Sequence, residues 1–256
     1  MIRRFLIGLL VLYALLTLYS VGSLGLGIRP SPLLTPGTTL VGFSFALLHA
    51  WNREGGRRAL VLAGSVVIVG LLFESLGVAT GWIYGPYHYT GKLGPLFLGL
   101  VPYWIPVAWF MMSYPAYVIA DRLVPARGKR GLRLLEVAAV GALAMTAWDL
   151  VMDPFMVSAG YWVWEVPGPY FGVPLQNYWG WWLTVFTSLA LYLLLAGAGR
   201  REGGGALDHL AIASYLITAL GIIILTLVGR AGALALIGLF AMLPWCIAAW
   251  PRSTAG

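Results

Sequence analysis

Charge is scarce in this chain of 256 residues: Asp, Glu, Lys and Arg together make up 10%, against about a quarter in an ordinary soluble domain. With 60% hydrophobic residues and a mean hydropathy of +0.86, no single water-soluble core can enclose the apolar surface, and lipid must solvate most of it. Cysteine is nearly absent. The lone Cys246 has no intrachain partner, and the lack of any CxxC or Cys/His cluster removes a structural zinc site. Only His49, His88 and His209 occur, scattered and without an HExxH pattern, which argues against a metalloprotease. A GxSxG elbow and a Walker loop are missing as well, and no metal ligand set is expected. The net charge of +7 would point to nucleic acid in a soluble protein. Here the basic residues fall in short runs between apolar segments, which is a topology signal, and no nucleic-acid partner is expected.

What the chain does have is long apolar runs. A spanning helix needs about twenty apolar residues, because its backbone polar groups must be satisfied within the segment. The candidates are 5–26, 36–52, 58–79, 103–121, 133–152, 178–199, 207–228 and 231–250. The expected fold is therefore all-α: a polytopic integral membrane bundle of about eight transmembrane helices, with residues 1–256 forming one membrane domain. The first run lacks a clear small-residue cleavage site and is read as a retained helix. If the amino terminus is cytoplasmic, all of the 16 Lys and Arg except Arg29, Lys92 and Arg230 fall on the inside. That bias supports an even number of helices, both termini in the cytoplasm and a multi-pass protein of the cell membrane.

Two outside connections, 80–102 and 153–177, are long and rich in Trp, Tyr, Gly and Pro. They read either as an interfacial aromatic belt or as a ring-lined lid over the helix ends. Of the nine acids, Glu54, Asp121, Glu202 and Asp208 lie at cytoplasmic helix ends beside Arg residues and read as solvated or paired caps, and Glu136 has the same reading. Glu74, Asp149, Asp153 and Glu165 map to the outer half instead. Asp149 and Asp153 are spaced i, i+4 and share one helix face, with Pro154 suggesting a helix-ending turn just after them. Without matching cations, four carboxyl groups at one level cannot all be ionised comfortably, so at least one is expected to be a neutral acid. A neutral acid suits a proton donor in an apolar pocket, and cross-helix hydrogen bonding is the plainer role. His88, between Tyr87 and Tyr89, either bonds to such an acid or is an ordinary interfacial histidine. The Asp149 to Asp153 spacing also resembles the Asp-rich motif of membrane prenyltransferases, but the second motif and the basic residues that those enzymes use are missing.

Three blocks resemble the membrane carotenoid biosynthesis family whose members hydrate acyclic carotenoid ends, with γ-carotene 1′,2′-hydratase and bisanhydrobacterioruberin hydratase among its activities. The first runs from Phe73-Glu74-Ser75-Leu76-Gly77 through Thr80-Gly81-Trp82-Ile83-Tyr84-Gly85, Tyr87, Tyr89 and Leu93-Gly94 to Ile105-Pro106 and Trp109. The second is Trp148-Asp149-Leu150-Val151-Met152-Asp153-Pro154 with Gly160-Tyr161-Trp162-Val163-Trp164. The third, Gly168 to Trp181 with Gln176-Asn177, is the most specific. The resemblance covers about 70–185 well and the outer helices only by hydropathy.

The chemistry implied by this resemblance needs a strong proton donor, a place for a tertiary carbocation and a held water, but no redox or nucleotide cofactor. On chemical grounds Asp149 or Glu74 is read as the acid, with Asp153 or His88 ordering the water. Trp82, Tyr84, Tyr87, Trp148, Trp162, Trp164 and Tyr170 would line the substrate, and Gln176 and Asn177 would hold water or a turn. Aromatic faces stabilise a cation by about 0.5 to 2 kcal/mol each. The implied partners are an apolar carotenoid, water and the lipid bilayer, with other enzymes of the same pathway as further candidates and the oligomeric state left open. Competing readings are a lycopene-type cyclase that excludes water from the cation, a small proton-coupled transporter, and a structural role in a carotenoid-making assembly. The cytoplasmic half is nearly all Leu, Val, Ala, Ile and Gly, which disfavours a transport path.

Overall fold

The computed structural model describes residues 1–29, 31–126, 129–197 and 205–250. Within them are eight helices: α1 (Ile2–Gly25), α2 (Leu34–Glu54), α3 (Gly56–Thr80), α4 (Trp104–Leu123), α5 (Arg130–Ser158), α6 (Leu175–Leu195), α7 (Asp208–Val228) and α8 (Gly232–Ala249). Six of them, α1, α3 and α5 to α8, are long and apolar enough to cross a membrane. The other two differ for a physical reason. Helix α4 packs against α2, α3, α5, α7 and α8, so its Tyr, Trp, Ser and Pro residues meet protein and not lipid. Helix α2, with Thr35, Thr38 and Thr39 in its first turns, packs between α1, α3 and α4.

Helix α5 departs from the expected boundary. Pro154 does not end it, and the helix runs on to Ser158. A proline inside a helix cannot bond to the carbonyl four residues back, here that of Leu150. The Tyr170 hydroxyl donates to that carbonyl at 2.9 Å. With the vacated acceptor satisfied from outside, α5 continues and keeps Asp149 and Asp153 on one turn-spaced face.

The two aromatic connections fold onto one another. Strands β1 (Tyr87–Tyr89) and β4 (Trp162–Trp164) pair antiparallel, with Tyr87 opposite Trp164 and Tyr89 opposite Trp162. Alternation along a strand sends these four rings to one face and His88 and Val163 to the other. A second short hairpin, β2 (Leu96–Phe97) with β3 (Val101–Pro102), leads into α4. Tyr84 is clamped between α3 and α6: a Cβ on Gly77 or on Gly180 would come 2.5 Å from its ring.

The opposite end of the bundle is tied by charge. The Arg53 guanidinium is buried and donates to Asp208 at 2.8 Å, to Asp121 at 2.7 Å and to Glu54, while Arg133 donates to Asp121 at 2.7 Å. Glu54, Asp121 and Asp208 are thus paired within the protein, at the joint of α2, α4, α5 and α7. Glu136 is exposed. Glu202, with Arg127, Arg200, Arg201 and Arg252, lies outside the described residues.

Candidate active site

Beneath the paired strands is a cavity of about 450 Å³, within the roughly 300 to 1,000 Å³ range of small-molecule sites. Glu74, from the last turns of α3, stands on its wall and is 4% exposed. Three neutral donors converge on its carboxylate. The hydroxyls of Tyr87 and Tyr89 both donate to Oε2, the latter at 2.9 Å, and the Trp109 indole N–H donates to Oε1 at 3.0 Å. Burial, and then the facing Glu74 carboxylate, hold both tyrosine hydroxyls well above the ordinary phenol range, so they remain donors. The alternation that turns both tyrosines inward thus also sets two hydrogen bonds on one carboxylate oxygen.

The second cluster comes from α5 and α6. Asn177, in the first turn of α6, uses one Nδ2 group to donate to Asp149 Oδ2 at 2.8 Å and to Asp153 Oδ2 at 2.6 Å. The Trp162 indole donates to Asp153 Oδ1 at 2.7 Å. Asp153 therefore has a donor on each oxygen, whereas Asp149 Oδ1 is buried with no partner among the described residues. No Lys or Arg pairs with either acid among those residues. Asp153 and Asn177 face the cavity, while Asp149 sits behind them, fully buried.

Rings supply the rest of the chamber. Trp109 stacks on Trp181 with centroids 4.2 Å apart, and Trp148 meets Trp181 edge-on at 5.9 Å. Tyr84, Tyr87, Trp148, Trp162 and Trp164 all line the cavity. Tyr89, Trp109 and Trp181 line it too. The last three stand in the sequence blocks quoted above but had no assigned role there. Their signal was position: Tyr89 repeats Tyr87 at strand period, and Trp109 lies one helical turn past Ile105-Pro106.

Four expected site residues stand elsewhere. His88 points out of the β1–β4 ribbon and pairs with Glu165 at 2.5 Å, both half-exposed, so neither meets the acids of the cavity. Trp82 is 83% exposed. Gln176 donates to the carbonyls of Gly81 and Trp82, at 3.2 and 2.5 Å, and so secures a turn and not a water. Tyr170 is engaged with Leu150, as described above.

A family model described as carotenoid biosynthesis protein matches residues 35–244. The chain belongs to that family. Within it, the chain is 37% identical over 137 residues to a protein named bisanhydrobacterioruberin hydratase from Haloarcula japonica. This match covers 53% of the chain and 45% of the relative, so the chain spans about half the length of that protein. No solved structure matches. Both carboxyl clusters and the tryptophan wall fall inside the family match, and α1 precedes it.

Proposed function

We propose that this member of the carotenoid biosynthesis family is a hydratase, adding water to the terminal double bond of an acyclic carotenoid end to give a tertiary alcohol. The observation that carries this reading is the Asp149–Asn177–Asp153 bridge, which has no Lys or Arg partner among the described residues and sits in a chamber of tryptophan and tyrosine rings. Two ionised carboxylates joined by one amide would repel by roughly 3 kcal/mol at an effective dielectric of about 20, so the pair holds one proton between its members. Asp153 is the member that delivers it at the cavity wall.

In the reaction, the carboxyl proton adds to the less substituted alkene carbon, and the π electrons form the new C–H bond. A tertiary carbocation remains on the other carbon. The faces of Trp109, Trp148 and Trp181 stabilise it without capturing it, by about 0.5 to 2 kcal/mol each. A water oxygen then bonds to the cation and gives one proton back to a carboxylate, so the acid is restored and one water has been added. Glu74, whose carboxyl group accepts three hydrogen bonds, stands on the same wall and orients the attacking water, whose proton returns to Asp153. No redox or nucleotide cofactor is consumed in this sequence.

The protein works as a multi-pass protein of the cell membrane, with both termini cytoplasmic and the aromatic ribbon outside. The distribution of Lys and Arg supports this orientation. With Cys246 replaced by Ser, a cysteine placed at Val166, which is 64% exposed, is expected to react with a membrane-impermeant thiol reagent on intact cells. Labelling only after permeabilisation would reverse the orientation. Expression in a host that accumulates an acyclic carotenoid, followed by mass analysis of the pigments, tests the activity. A product heavier by one water is expected, whereas a cyclic product of unchanged mass would indicate a cyclase.

A further inference from the structure

The cavity continues past the acids. Its far wall comes from α1, the start of α2 and the second half of α7, and includes Thr17, Val21, Thr38, Thr39, Thr218 and Ile222. Four of these are threonines, yet their hydroxyls are spent on their own helices. Thr17 donates to the Tyr13 carbonyl at 2.8 Å, Thr38 to Leu34 at 2.8 Å, Thr39 to Thr35 at 2.9 Å and Thr218 to Ser214 at 3.1 Å. Each reaches the carbonyl four residues back, which leaves methyl groups as the wall's main surface.

This wall also has an opening. Leu24, Ile28 and Thr35 line the cavity and are exposed, so it reaches the surface at the corner between α1 and α2. Around that corner Leu18, Tyr19, Leu26, Leu33 and Leu40 are exposed as well. In a bundle with apolar spans, such a rim faces lipid. Helix α1 is seated closely here: Tyr13 shares a hydroxyl hydrogen bond with Thr218 at 2.7 Å, and a Cβ on Gly221 would come 2.4 Å from Thr17 Cγ2. The α1 part of the wall lies ahead of the family match at 35–244.

We propose that this wall is a lateral channel through which the polyene enters from the bilayer, with Thr17, Val21 and Thr39 determining which chains are accepted. The proposal rests on the carotenoid reading of the site. The occupant is the remainder of the substrate whose end lies at Asp153, because channel and chamber are one cavity. Ser20 and Thr35 also stand on this wall, but most of its hydroxyl groups are engaged, and the surface is mainly apolar, which suits a polyene better than a file of water. The far end of the polyene stays in the lipid, so the channel selects on chain width and the reacting end alone meets the acids.

The test uses full-length protein in liposomes with an acyclic carotenoid, and measures retained pigment, KM and kcat. Val21→Trp and Thr39→Trp fill the channel away from the acids, and Leu18→Trp adds the same ring on the lipid-facing side of α1. The two channel variants are expected to retain less pigment and to raise KM by about tenfold with kcat nearly unchanged, with thermal stability like that of Leu18→Trp. Pigment binding and KM that match the unsubstituted protein in both channel variants would overturn the channel. So would a tightly held lipid acyl chain that the carotenoid does not displace, or an unsubstituted protein that retains no pigment. Retention of pigment sensitive to these two positions, without any hydroxylated product, would support the channel and defeat the hydratase reading instead.

Discussion

Among the described residues Asp153 has a donor on each oxygen and lines the cavity, whereas Asp149 Oδ1 has none and the residue sits behind it. Asp149→Asn and Asp153→Asn are each expected to lower hydration by about 10² to 10⁴-fold, the usual contribution of a positioned acid, at normal protein levels. Tyr87→Phe removes one of three donors to Glu74 and should cost about tenfold in kcat, in keeping with roughly 1.5 kcal/mol for a hydrogen bond to a charged group. His88→Ala should leave kcat within about twofold, because the exposed His88–Glu165 pair is worth about 0 to 1 kcal/mol. A large loss of turnover in that variant would return His88 to the site. The acids were legible in the sequence because a carboxyl in an apolar run has few ordinary reasons to be there. For His88 the sequence leaves open which acid it meets, because the Tyr-His-Tyr run reads there as part of a connection; its acid is the exposed Glu165. Only the pairing of this run with Trp162–Trp164 makes it a strand with an inner and an outer face.

At the level of helices and strands, length and hydropathy located all eight helices to within a few residues, apart from the end of α5. There the local rule for proline was sound and its consequence was cancelled from elsewhere. The donor to Leu150 is Tyr170, twenty residues further on, and no short window contains both. Tyr170→Phe is expected to lower unfolding stability by about 1 to 3 kcal/mol, the cost of a buried unpaired carbonyl. In a Pro154→Ala background the restored backbone N–H satisfies Leu150, and the same Tyr170→Phe change should be nearly neutral. Thermal unfolding in detergent of the four proteins of this cycle measures the difference. Equal costs in both backgrounds would mean that the hydroxyl is not serving the proline. The ribbon of β1 and β4 was equally hidden from sequence, since its strands are three residues each and lie more than seventy residues apart. Its aromatic composition was visible, and its pairing was not.

The molecule as a whole separates its polar work between two ends. One end joins four helices through the buried charges of Arg53, Arg133, Asp121, Asp208 and Glu54, and the other holds carboxyl groups among rings. Breaking the first end should be a matter of stability. Arg53→Met leaves buried acids uncompensated and is expected to cost about 3 to 5 kcal/mol, seen as a lower unfolding temperature with the pigment product unchanged in whatever protein remains folded. The charge bias of the sequence foretold that basic residues would gather at this end. It could not foretell that they would be enclosed and paired across helices. The account stands or falls at the other end of the bundle. The most direct measurement is mass analysis of the pigments made when the unsubstituted protein, Asp149→Asn, Asp153→Asn and Glu74→Gln are each expressed at equal levels in a host that accumulates an acyclic carotenoid. The account predicts a product heavier by one water with the unsubstituted protein and almost none with either aspartate variant. Undiminished hydration by either aspartate variant, or a product of unchanged mass from the unsubstituted protein, would contradict it.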